Sequence, residues 1–176
     1  MQGEKGSVQS TGKGGLPFDQ AASQQVTTTT PTPTTLLAQV NTTQSSLGDL
    51  NTQLTTKNLK LTGSQRYILN NKLADAHSNL RKAASKTGVE LEPLAHVPAS
   101  QGPIAKFLNY VSSGEKMMSQ AKGKLQEIND SGDSVNPAKL LLVQVDLNRA
   151  QTLLEYSSVI LGKAVDATKT LFNTQM

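Results

Sequence analysis

Asn136-Pro137-Ala138-Lys139-Leu140-Leu141-Leu142-Val143-Gln144-Val145-Asp146-Leu147-Asn148-Arg149-Ala150-Gln151-Thr152-Leu153-Leu154 is the stretch on which the reading of the fold turns. Asn136 is a good helix cap, and Pro137 suits the first helical position because its missing N–H has no partner to lose there. No proline follows, and Gly162 is the one glycine out to Met176. The predicted helix, 137–173, is about 55 Å long at 1.5 Å per residue. Leu140, Leu147, Leu154 and Leu161 recur every seven residues, with Val143, Ala150, Ser157, Ala164 and Leu171 three along. That is a coiled-coil seam. Leu142, Val145, Leu153, Ile160 and Phe172 fall on other faces, so the helix is apolar around much of its circumference. Such a helix needs cover on several sides. An ordinary core stripe packed on the preceding helix accounts for the seam alone. Self-assembly or insertion into a larger complex accounts for the remaining faces, since uncovered apolar surface marks an interaction site. Asp146, Arg149 and Lys169 are expected to point outward.

Upstream, Pro103 opens a shorter helix lined by Ile104, Phe107, Leu108, Val111, Met118, Ala121, Leu125 and Ile128. Gly114 and Gly123 weaken it by roughly 1 kcal/mol each. Asn129-Asp130-Ser131-Gly132-Asp133-Ser134 is a turn cluster that folds it back on the last helix. Residues 89–102, with Pro93 and Pro98, read as a linker. Before them, Leu69, Leu73, Ala76, Leu80 and Ala83 form a stripe ending at Gly88. Leu36, Val40, Thr43, Leu47, Leu50 and Leu54 form another, among poor helix formers. The short Leu61-Thr62-Gly63 joins these two as an antiparallel hairpin.

Residues 1–35 hold only four large apolar residues, Val8, Leu16, Phe18 and Val26, and a Thr/Pro tract over 27–35. Too little surface is available there to offset the entropy of ordering the backbone, about 1–2 kcal/mol per residue. The expected fold is therefore all-α. A disordered tail (1–35) precedes a weak helical hairpin (36–88) and a linker (89–102). A short helix and a long C-terminal helix then form an extended α-hairpin (103–176).

Composition excludes several functions. Leu, Ile, Val and Phe make 41 of 176 residues, and aromatics are 3%, too few for a large enzyme core. The absence of Cys removes disulfides and thiolate chemistry, and two His residues are too few for most metal-site grammars. No stretch is long and apolar enough to span a bilayer, and no apolar segment follows Lys5 and Lys13 to make a secretory signal. Net charge is +4. Seven positive against four negative charges over 36–102 come without interleaved aromatics beyond Tyr67, so no nucleic-acid partner is expected. Gly12-Lys13-Gly14-Gly15 lacks the spacing and the hydroxyl of a phosphate loop. Glu90 and Glu92 sit just before Pro93 without a second catalytic group, His77 reads as a surface histidine, and His96 has no neighbouring chemistry. The sequons Asn41-Thr42-Thr43 and Asn129-Asp130-Ser131 mean little without a signal peptide. No catalytic residue, metal site, cofactor or small-molecule substrate is expected.

One resemblance stands on specific residues. Asn136-Pro137-Ala138-Lys139-Leu140-Leu141, Gln144, Leu147, Glu155, Gly162 and the ending Thr170-Leu171-Phe172-Asn173-Thr174-Gln175 resemble the inner-rod family of bacterial type III secretion systems. Pro103-Ile104-Ala105-Lys106-Phe107-Leu108 resembles the family's first helix. The likeness covers about 103–176. Val159 stands where the family often carries Lys, and 36–88 match nothing in it. The resemblance implies a structural subunit, exported by the type III route and polymerising in the periplasmic part of the apparatus, where it anchors the needle and lines the conduit. Its implied partners are copies of itself, the needle subunit, export-gate proteins and basal-body ring proteins. The assembly interface expected is Leu140, Leu141, Gln144, Leu147, Leu154, Leu161, Gly162, Leu171 and Gln175. Residues 1–35 look like the uncleaved export signal of such substrates. A needle or flagellar-rod-type subunit, or a cytoplasmic coiled-coil adaptor or chaperone, are the alternatives.

Overall fold

The structure, a computed structural model, describes residues 30–132 and 134–174. The tail expected over 1–35 lies outside these residues except for its last six. Of those six, Pro33, Thr34 and Thr35 already belong to the first helix, because Thr32 and Thr35 cap each other. The Thr35 amide donates to Thr32 Oγ1 at 3.2 Å and the Thr32 amide donates to Thr35 Oγ1 at 2.9 Å. Among the described residues there are four α-helices, a short 3₁₀ turn and no strand. We number them α1 (Pro33–Leu54), α2 (Gly63–Thr87), α3 (Gly102–Ser131) and α4 (Pro137–Thr174).

Each boundary has a local cause. Thr62 and Gln65 form a reciprocal capping box at the start of α2. Gly88 ends α2 at φ 94°, a left-handed conformation that a Cβ would strain. Gly132 does the same for α3 at φ 66°. At α4, the Ala138 amide donates to Asn136 Oδ1 at 2.9 Å, so the cap read from the sequence is formed.

The all-α class and the long last helix are as expected, but the pairing of helices is not. α1 lies beside α3 and α4, and α2 lies beside the same two, whereas the backbones of α1 and α2, and of α3 and α4, face each other only across the core. Each antiparallel pair that is sequential in the chain thus stands on a diagonal of one four-helix bundle instead of forming its own hairpin. The reason is surface. Each helix has an apolar stripe that neither of the two expected hairpins could cover on both flanks, and the diagonal arrangement gives every helix two walls. Side-chain bonds fix the directions. Gln39–Asn148, Thr43–Gln151 and Gln53–Ser158 pairs run in step, so α1 is parallel to α4. Thr34 meets Asn129, so α1 is antiparallel to α3. Lys72 lies over the Tyr156 ring and Lys86 meets Asp146, so α2 is antiparallel to α4 and parallel to α3.

Parallel neighbours need a crossover, and residues 88–101 supply it. The linker runs back along α3. Glu92 is held by Lys116 and by Arg81, which donates to the Glu92 carbonyl at 2.7 Å, and Asn109 donates to the Ala95 carbonyl at 2.8 Å. Fourteen extended residues reach at most about 50 Å, enough to retrace a helix of α3's length. The prolines that mark this stretch as non-helical keep it extended.

The core is one continuous cluster of stripe residues from all four helices, with Phe107, Met118 and the stripe leucines Leu36, Leu47, Leu50, Leu69, Leu73, Leu80, Leu147, Leu154 and Leu161 almost wholly buried. Each buried Leu contributes about 1.5–3 kcal/mol. Gly114 lies at its centre. A Cβ there would sit 3.0 Å from Leu80 Cδ1 and 3.2 Å from Leu47 Cδ2, so its missing side chain lets leucines of α1 and α2 reach into the bundle beside α3. The glycine read as a weak point in the helix is a packing site.

Candidate functional site

α4 has two faces of opposite fate. Leu140, Val143, Leu147, Ala150, Leu154, Ser157, Leu161 and Ala164 all point inward and are buried. Leu140, Leu147, Leu154 and Leu161, expected at an interface between copies, are therefore core residues of their own chain. Their cover comes from α1 and α2, not from the preceding helix. Ser157 is tolerated in the stripe because its hydroxyl donates to the Leu153 carbonyl at 2.8 Å. Of the other expected interface residues, Leu141 and Leu171 are exposed, Gln144 and Gly162 are half-buried, and Gln175 lies outside the described residues.

The rest of α4 exposes apolar side chains as well: Leu141, Leu142, Val145, Tyr156 and Val159 on its outward face, and Leu171 and Phe172 on the seam side of the C-terminal overhang. These are seven of the eight exposed large hydrophobic side chains among the described residues. The eighth, Tyr67, is in the first turns of α2. Residues 169–174 extend past the neighbouring helices and are exposed throughout. Leu142 and Val145 were read from the sequence as lying off the seam, and they do; Phe172, read the same way, is five turns on from Leu154 and is exposed because the helix overhangs there.

Two grooves flank this ridge. One, about 420 Å³, runs between α2 and α4 and is lined by Asp75, Asn79, Lys82, Arg149, Thr152 and Leu153. Lys72 lies one step along it, 5.5 Å over the Tyr156 ring, where an ammonium gains from the ring's negative face. The other, about 330 Å³, runs between α1 and α4 and is lined by Ser46, Asp49, Leu154, Glu155, Ser158 and Val159. The first is net basic and the second acidic.

Two ionisable side chains away from these grooves are buried. Asp146, expected outward, is 5% exposed and pairs with Lys86. A one-position rotation on the helix wheel puts it on the α2 flank of the seam. His77, expected at the surface, is buried, and its Nε2 shares a 2.9 Å hydrogen bond with the Ser113 hydroxyl. The Tyr110 ring lies 5.5 Å away. Burial, and then the Arg81 cation, hold this imidazole below its usual 6.5. A base activating Ser113 would need a partner orienting its second nitrogen, and among the described residues no other hydrogen bond reaches the ring. The same residues contain no group of three or more metal-ligating side chains and no helix long and apolar enough to cross a membrane.

The chain matches no protein-family model, no curated protein and no solved structure.

Proposed function

We propose that the chain is a structural, non-catalytic subunit that works by assembling with copies of itself, of the inner-rod type of a bacterial type III secretion apparatus. On this reading it is exported by that apparatus and polymerises in its periplasmic part. There it anchors the needle, lines the conduit and meets export-gate and ring proteins. The residue resemblance over 103–176 supplies the class. One structural observation carries the assembly role: α4 holds seven of the eight exposed large apolar side chains among the described residues, five on its outward face and Leu171 and Phe172 on the overhang. Apolar surface gathered on one helix of an otherwise polar bundle is what a recurring contact needs. The buried leucine seam belongs to folding, so the ridge takes over the role the sequence assigned to the seam.

The test is secretion by a strain carrying Val159→Asp, a change at an exposed site that leaves the core intact. Expected is normal export of the subunit with loss of needles and of later substrates. Full needle formation would overturn the reading. Lys169, exposed on the overhang, is the control position.

One observation favours a second reading. The chain closes its own seam into a complete bundle, as a self-contained cytoplasmic adaptor or chaperone would. The two separate on location: an adaptor stays inside the cell and supports export without leaving, whereas a rod subunit appears in the purified apparatus.

A further inference from the structure

The two grooves beside the ridge carry opposite charge, and they are not related to each other by symmetry. Lys82 and Arg149 face the α2 side, with Lys72 beyond them and Asp75 as the one anion. Asp49 and Glu155 face the α1 side. Each groove also holds an apolar residue of α4, Leu153 on the basic side and Val159 on the acidic side. Lys82, Arg149, Asp49 and Glu155 are all exposed, and none joins an ion pair with another described residue. Apart from Asp75, like signs are grouped on each flank of one helix, and among the described residues no ion pair uses these four charges.

We infer that the basic α2/α4 groove of one molecule docks on the acidic α1/α4 groove of a second copy, side by side and parallel, with the α4 ridge between them. This deepens the reading of the chain as an assembly subunit and rests on it. A surface that meets a different surface of its neighbour is heterologous. It propagates instead of closing into a two-fold dimer. The charges also set the stagger. Arg149 and Glu155 are six residues apart on α4, about 9 Å along the helix at 1.5 Å per residue. Lys82 lies level with Arg149, since Lys86 meets Asp146 and Lys72 meets Tyr156. Asp49 lies level with Glu155, since both line one groove. Matching the two pairs slides each copy by that distance, which produces a helical array and not a flat ring. The apolar contacts supply most of the attraction. Exposed charges contribute less, and they choose the register and oppose other pairings.

Sedimentation of the full chain over a concentration series, at low and high salt, tests this with two double variants. Lys82→Glu/Arg149→Glu makes both flanks acidic. Asp49→Lys/Glu155→Lys makes both basic. Expected is concentration-dependent, open-ended association of the native chain that weakens with salt, with at least a tenfold loss for either variant alone. An equal mixture of the two restores association, because every contact then joins an acidic flank to a basic one. Recovery on mixing also shows that both variants are folded. Native-like association of either variant alone, failure of the mixture, or a native chain that stays monomeric would each overturn the inference. If association follows the charges while secretion ignores them, the surface stands and the inner-rod reading falls. If association ignores them while Val159→Asp still blocks needle formation, the reading stands and this surface falls.

Discussion

α1 and α2 cover the same seam of α4 from opposite sides, and they do it with different chemistry. α1 carries a single charged residue, Asp49, and meets α4 through leucines and uncharged amides and hydroxyls such as Gln39–Asn148 and Gln53–Ser158. α2 is rich in cations and meets α4 and α3 through Lys86–Asp146, Lys72–Tyr156 and His77–Ser113. Both have the same stripe spacing, so the apolar term is alike. The difference shows that one geometric solution can be insulated from pH and salt on one wall and exposed to them on the other.

The largest expected effect tests what the walls share. Leu47→Ala in α1 and Leu80→Ala in α2 each remove a fully buried side chain against Gly114. Each should cost about 2–5 kcal/mol in urea unfolding. A loss confined to one of them would show that one wall carries the core and the other is only laid on it. Next in size is Asp146→Ala, which leaves Lys86 without its partner. Lys86 retains 30% side-chain exposure and can turn to water, so the loss should be about 1–3 kcal/mol. No α1 position offers an equivalent, and Gln39→Ala is the comparison, expected near 1 kcal/mol.

Glycines sharpen the comparison at smaller scale. Gly114→Ala gains about 1 kcal/mol of helix propensity but must push Leu47 and Leu80 aside. Overpacking costs about 1–3 kcal/mol, so a net loss is expected. Gly48→Ala in α1 and Gly123→Ala in α3, with nothing within 4 Å of the new Cβ, should each raise the melting temperature. The smallest effect is confined to the α2 wall. His77 titrates below 6.5 when folded, so the unfolded chain binds more protons just below that pH. Stability is full above 6.5 and falls as pH drops toward the lowered value. His77→Gln should flatten that slope in a pH series of urea midpoints, and a slope that persists would assign it to another group.

Helix ends were legible because they depend on neighbouring residues only. Asn136-Pro137 and Gly88 act within one turn, and both end up where local chemistry places them, whereas the equally local Thr62–Gln65 and Thr32–Thr35 boxes went unread. Helix pairing was not legible, because all four helices carry similar stripes and a seven-residue spacing does not name its partner. Pro93 and Pro98 marked a linker. Its fourteen-residue length was the one available sign of a crossover between parallel helices, since antiparallel neighbours need far fewer residues. In the same way the spacing of Leu140, Leu147, Leu154 and Leu161 identified a buried seam but not whether its cover came from the same chain. Asp146 carried a signal that periodicity alone passed over: a carboxylate directly beside the seam leucine Leu147 needs a cation, and Lys86 stands in the last turn of α2.

The diagonal arrangement also decides how the molecule yields to force. A pull on Pro33 drags α1 lengthwise past its two supports, because α1 lies beside α3 and α4 and across the core from the helix that follows it. Once it slides out, α3 and α4 still share no wall, and α2 alone bridges them. There is no surviving half to resist, so a chain drawn N-terminus first through a narrow pore should give way in one event, with a single force peak in a pulling experiment.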